Sequence, residues 1–165
     1  RFVNRGVMLD VARYLKVDML KPGQEISANE LEATAKAQGV EIRKGDSVLI
    51  RTGFGQHFEA QPDRYLGPRP GIGESGARWL GAKGVFLTGA DTLTYDVFPK
   101  GGSAFPAHRI LIAENGIYIV ENLNLERLGK ALDALGTWAF PLVMNPPRIR
   151  GATAAALNAF AILPK

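Results

Sequence analysis

The sequence predicts an α/β protein with a mixed sheet or barrel-like core and peripheral helices. Three observations carry that expectation. Apolar runs of strand length alternate with capped helical segments, some connections are of hairpin length, and apart from the alanine-rich 152–161 no repeat or low-complexity tract breaks the pattern. With 165 residues, 46% hydrophobic and 22% charged, the chain can bury a core as one soluble globular domain. No apolar run approaches the ~20 residues of a membrane helix. The opening RFVNRGVMLD lacks the n-region and h-region of a signal peptide, so no membrane partner and a cytoplasmic location are expected.

Gly6 to Val11 reads as the first strand, and Lys21-Pro22-Gly23 as a loop. Ser27 and Glu30 have the spacing of a capping box and Gly39 is a stop, which predicts a helix over 28–38 with Leu31 and Ala35 on one face. Gly45-Asp46 turns into Ser47–Arg51, an apolar run suited to a buried strand. The stretch from Gly53 to Gly73 carries three prolines, five glycines and His57; it is long for a compact domain and reads either as a binding loop or lid or as a surface excursion. His57 is expected to be an exposed loop residue rather than a ligand. A helix over Glu74–Lys83 follows, with Trp79 and Leu80 inward and Gly84 as its stop, then a strand at Val85–Leu87. Asp91 falls just past that strand, where open α/β sheets collect functional side chains; it either lines a site or caps a turn through its own backbone, and Asp96 is open to the same two readings.

Chemistry is most legible in residues 105–125, FPAHRILIAENGIYIVENLNL. Pro106 suits the first position of a helix and Asn115-Gly116 supplies a left-handed stop, so 107–114 should be a short helix and Ile117–Val120 a buried strand. Seven helical residues advance ~10 Å, and four extended steps return ~13 Å. His108 and Glu121 therefore finish at one end of the unit, where an imidazole and a carboxylate can meet. Each also has a plainer reading, as a capping or surface histidine and as a solvated glutamate. Asn124 can cap a helix over Leu125–Ala134, which places Glu121 on a strand-to-helix loop. Trp138–Val143 is a strand in which Pro141 argues for an edge or a bulge, and Ala159–Leu163 is the last strand.

The absence of cysteine excludes disulfides and thiolate ligands, so a metal would need His, Asp or Glu, a donor set suited to zinc, manganese or related ions. The two histidines are His57 and His108. A net charge of +4 comes from scattered Lys and Arg, which argues against a nucleic-acid partner.

FPAHR and IVENLNLERL, preceded by GDSVLIRTG and GADT, make the chain resemble the C-terminal part of the cyclase family of metal-dependent hydrolases, which includes kynurenine formamidase and isatin hydrolase. The resemblance runs from about Arg5 to Ile162. It implies a swivelling β/β/α fold, with 1–165 one cyclase-like domain incomplete at its N-terminus. It implies His108 and Glu121 as metal ligands, a divalent ion such as Zn or Mn, and hydrolysis of amide or lactam C–N bonds in a small-molecule substrate. Asp91, Asp96, Arg51 and Phe54 are the candidate lining of that site; at Phe54 the family often has Trp. The other ligands and the acid/base histidine belong, in the family, to an earlier segment H-x-G-T-H-x-D-x-P-x-H that does not occur in these residues, so no catalytic acid or base is assigned here.

The expectation is the C-terminal portion of a longer enzyme, as a homo-oligomer or with a companion N-terminal fragment. The alternative is a non-catalytic binding or structural relative that keeps the fold. Residues 150–155 resemble the family's G-x-T-G-S turn but carry Ala at both its second Gly and its Ser, which favours that alternative.

Overall fold

The computed structural model describes residues 2–98 and 105–164. The chain runs β1 (Phe2–Asp10), α1 (Val11–Tyr14), β2 (Glu25–Ile26), α2 (Ala28–Ala37) and β3 (Ser47–Arg51). It continues with α3 (His57–Ala60), α4 (Pro62–Leu66), β4 (Gly71–Ile72), α5 (Glu74–Lys83) and β5 (Leu87–Ala90), then α6 (Pro106–His108), β6 (Tyr118–Val120), α7 (Glu126–Leu135), β7 (Ala139–Asn145) and β8 (Asn158–Ala161). Six strands form one mixed sheet in the order β6-β5-β3-β1-β7-β8, curled into a half-barrel. The first four in that order are mutually parallel, while β7 pairs antiparallel with β1 and β8 antiparallel with β7. A small parallel pair, β2 with β4, lies apart from it.

The sheet is apolar on both faces because side chains alternate along each strand. Val7, Leu9, Val48 and Ile50 point to one face and pack with Leu31 of α2, Leu80 of α5, and Ala107, Ile110 and Leu111. Met8 and Leu49 point to the other, with Phe140, Leu142 and Met144 of β7 and Leu132 of α7. At Gly6 a Cβ would stand 2.6 Å from a ring carbon of Phe140, so β1 and β7 approach closely there because one of them has no side chain.

The capping box forms as the spacing predicts: the Ser27 backbone N–H donates to Glu30 at 2.8 Å and the Glu30 N–H donates to Ser27 Oγ at 3.3 Å. Several expectations are corrected. The 53–73 stretch is not an open loop but folds into a 3-10 turn (Phe54–Gln56), α3, α4 and β4. The strand expected at 85–87 is displaced to Leu87–Ala90, and the last strand ends at Ala161. The strand after Gly116 lies at the edge of the described sheet, with Tyr118 53% exposed, because among the described residues β6 pairs only with β5. Helix α7 begins one residue later than expected, after Leu125 and with no side-chain cap, so Asn124 is not its cap. Pro141 sits in an interior strand. Its carbonyl accepts from the Ile162 N–H at 3.0 Å on the β8 side, and its missing N–H faces β8 too, so the return bond to Ile162 is forgone, but at the very end of the β7–β8 pairing, where it costs one terminal rung and leaves the ladder over Leu142–Asn145 intact.

Candidate active site

The C-terminal ends of the parallel strands bring polar side chains to one edge of the sheet: Asp10 on β1, Arg51 on β3 and Thr52 just after it, Asp91 after β5, and Glu121 after β6. Helix α6, opened by Pro106, carries His108, and a π-helical turn over Arg109–Glu114 continues it. Such turns are frequent at functional sites, and nothing in the sequence announced this one. Asn115 donates from Nδ2 to the Ile110 carbonyl at 2.7 Å, and Gly116, at φ +65°, ends the segment.

His108 and Glu121 do come together. Nε2 of His108 lies 3.6 Å from Oε1 of Glu121, and both side chains are about one-third exposed. The other ring nitrogen, Nδ1, is 2.5 Å from the carboxylate of Asp96, which is buried and also accepts from the backbone N–H groups of Ala107 at 2.7 Å and His108 at 3.2 Å. Glu121 Oε1 accepts from the Tyr95 N–H at 2.6 Å. The bond to Asp96, reinforced by the negative charge of Asp96 and Glu121 against the opposing effect of burial, raises the His108 pKa.

The remaining candidates are placed elsewhere. Asp91 is buried and turned toward the β3 end, where it accepts from the Thr52 N–H at 2.9 Å, the Thr52 hydroxyl at 2.7 Å and the Gly53 N–H at 2.9 Å. It braces a neighbouring loop rather than its own turn. Gly53 fits there at φ +77° because a Cβ would collide with the Asp18 carbonyl. Arg51 engages Glu126 through two parallel bonds of 2.9 and 2.8 Å and Asp10 at 2.9 Å, beside a cleft of about 390 Å³. Burial opposes its charge, but the bonds to Glu126 and Asp10 prevail and its pKa rises. Phe54 is fully buried, edge-on to His57 and stacked with Tyr65.

His57 contradicts its expected exposure. It is 5% exposed, its buried Nε2 has no hydrogen-bond partner among the described residues, and its pKa is lowered by burial and then by Arg64. The turn at Phe54 rolls the start of α3 inward, which a reading of 53–73 as loop could not anticipate. Sequence reasoning also missed Tyr65, whose hydroxyl donates to Asn122 Oδ1 at 2.9 Å. Asn122 adopts φ +58°, and an Asn two residues past a strand was the available signal, since few other side chains tolerate that region.

Comparison with known proteins decides the family. The sequence profile of the Cyclase family, described as "Putative cyclase", matches residues 1–97. The chain belongs to the Cyclase family. Among solved structures, this cyclase-family chain is similar to a novel cyclase, with TM-score 0.90, 29% identity, and coverage of 98% of this chain and 54% of that one. It is similar in fold to an isatin hydrolase bound to the product analogue thioisatinate, with TM-score 0.80, 23% identity, and coverage of 99% and 61%. A potential metal-dependent hydrolase with cyclase activity gives TM-score 0.68, 20% identity, and coverage of 96% and 64%. The chain thus spans about half to two-thirds of the length of these relatives. No curated protein matches it.

The His108–Glu121 pair can be tested for metal geometry. Bonds of ~2.0–2.1 Å at a tetrahedral angle separate two donor atoms by about 3.4 Å, close to the 3.6 Å found. The pair fits two positions of such a centre. Among the described residues no group of three or more His, Asp or Glu side chains is placed to hold an ion, so two donors are what this cyclase-family chain is seen to offer.

Proposed function

We propose that this chain contributes the His108 and Glu121 ligands of a divalent metal centre in a hydrolase that cleaves amide or lactam C–N bonds of a small molecule. The observation that carries the reading is the 3.6 Å approach of His108 Nε2 to Glu121, with the far side of the imidazole held by Asp96. Solved structures similar in fold are described as metal-dependent hydrolases and isatin hydrolases, which supports the same reading. Zinc and manganese suit an N/O donor set without thiolate.

When bound, such an ion supplies activated water and polarises the substrate carbonyl. The chain's own residues hold the two donors at the sheet edge, with Glu121 braced by the Tyr95 N–H and a third of each side chain open to solvent. A centre of four or more donors needs others beyond this pair, which supports a homo-oligomer or a companion N-terminal segment as the source. The general acid that protonates the leaving nitrogen is assigned to no residue of this chain. Among the described residues no helix is long and apolar enough to cross a membrane, which is compatible with a cytoplasmic enzyme.

A non-catalytic relative is the second reading, favoured by the lack, among the described residues, of a third donor beside the pair and by the exposed 150–155 turn with its two alanines, while the pair itself stands against it. Metal analysis after equilibration with Zn²⁺ or Mn²⁺ separates the two. His108→Ala is expected to abolish uptake while leaving the far-UV circular dichroism unchanged, and equal metal content in both proteins would sink the ligand assignment.

A further inference from the structure

Both members of the site are held by two consecutive residues. Tyr95 gives its backbone N–H to Glu121, and Asp96 gives its carboxylate to His108. The anchor is deep: the Tyr95 ring is fully buried, with its hydroxyl 2.6 Å from Thr88 Oγ1 on β5, and Thr88 donates in turn to the Val48 carbonyl on β3 at 3.0 Å. Backbone bonds tie the same segment to β4, with Ile72 N–H donating to the Tyr95 carbonyl at 2.9 Å.

Asp96 faces three nitrogens: the Ala107 N–H, the His108 N–H and Nδ1 of the His108 ring. An ionised carboxylate only accepts, so each of these nitrogens must donate. For the imidazole that fixes the tautomer, since Nδ1 carries the proton and a neutral ring then has a bare Nε2. The bare nitrogen is the one that faces Glu121.

We propose that Asp96 is a positioning residue that locks His108 as the Nδ1–H tautomer and sets its ring plane, while Tyr95 fixes the facing carboxylate, so one dipeptide built on the core sets both halves of the site. The step from bare nitrogen to metal ligand rests on the proposed metal centre, whereas the tautomer does not. An amide cannot replace the carboxylate, because its single oxygen cannot serve all three donors and its NH₂ group donates toward whichever atoms it meets. In Asp96→Asn the NH₂ group meets a backbone N–H in either orientation, that of Ala107 or that of His108, so the hold on the Nδ1–H tautomer is weakened, and where the NH₂ group faces the ring Nδ1 becomes an acceptor and the proton left on Nε2 blocks the nitrogen that faces Glu121.

The test is ¹⁵N NMR of the imidazole rings in metal-free protein at alkaline pH, where the rings are neutral. The chain has two histidines, so His57→Gln leaves His108 as the sole source of ring signals. The expected result is a protonated Nδ1 and a bare Nε2 in the parent, and loss or reversal of that preference in Asp96→Asn. Addition of Mn²⁺ alone should broaden the His108 ring signals of the parent, and Asp96→Asn should need roughly 10–100-fold more ion for the same broadening. A parent ring protonated on Nε2 overturns the proposal without any change at Asp96, so the test survives an Asp96→Asn protein that does not fold. An Asp96→Asn protein with unchanged tautomer and unchanged Mn²⁺ response overturns it too. The expected tautomers with no Mn²⁺ broadening in the parent would support the positioning role and overturn the metal reading instead.

Discussion

Asp91 offers the sharpest test of how this sheet edge is held together. Its carboxylate is 1% exposed and accepts three hydrogen bonds, two from Thr52 and one from Gly53. Asp91→Asn keeps the shape but has one acceptor oxygen. If that oxygen stays on Thr52, the new NH₂ group points at the Gly53 N–H and leaves two buried donors facing each other. The loss of a charge-assisted bond together with an unsatisfied buried donor should cost about 2–4 kcal/mol. In a chain of this size that is a fall in Tm of about 5–10 °C, or about 1–2 M in urea midpoint with an unchanged slope. Thr52→Val removes one of the same bonds and also strands the Phe54 N–H that donates to the Thr52 hydroxyl at 3.1 Å. The double variant should therefore be less destabilised than the sum of the two. A Tm change under about 2 °C for Asp91→Asn would mean that the buried group is interchangeable with a neutral amide, and the three-donor argument would fail.

Arg51→Met strands the buried Asp10 and the partly buried Glu126 beside one another, and thermal unfolding should show a loss of about 2–4 kcal/mol, with Arg51→Met/Glu126→Leu recovering part of it; a shift below about 2 °C would refute the view of this triad as a structural tie. His57 has a folded pKa below its ordinary value, through burial and then through Arg64, so the unfolded chain binds its proton more readily. Its neutral form therefore favours folding above about pH 6.5, and that advantage fades as pH falls toward the folded pKa. The Tm of the parent relative to His57→Gln should decline between about pH 7.5 and 5.5, and a pH-independent difference would contradict the burial of a neutral ring.

Local signals located most of the fold. Capping by Ser27 and Glu30, the stops at Gly39, Gly84 and Gly116, and the apolar run of 47–51 are interactions within a few residues, so spacing alone reveals them. The meeting of His108 and Glu121 was legible for the same reason, because one helix and one short strand fix both ends of the unit. Long-range partners were not legible. Nothing near Arg51 in the chain points to Asp10 or Glu126, which reach it across 41 and 75 residues. The burial of His57 depends on how Phe54 and Tyr65 pack around it, which no period in the sequence encodes. Pro141 shows the converse error, since its usual meaning as an edge residue yields to the point where β8 stops pairing.

Position at a strand's C-terminal end was the sequence argument for a functional carboxylate, yet three carboxylates at such positions have different uses, and the donors around each decide which. Asp91 meets three donors in a buried pocket. Asp10 meets the Arg51 guanidinium and the Arg13 N–H, both on the same oxygen, and is 6% exposed at its side chain. Glu121 accepts one described backbone bond, stays 29% exposed at its side chain, and has a histidine nitrogen 3.6 Å away. An ionised carboxylate has about four lone-pair sites. Three are committed at Asp91, the guanidinium neutralises Asp10, and Glu121, with one site taken by the Tyr95 N–H, keeps about three beside a neighbouring imidazole nitrogen. Of the three, Glu121 is the one chemically equipped to take a further partner, and that partner is best sought on the side that His108 faces.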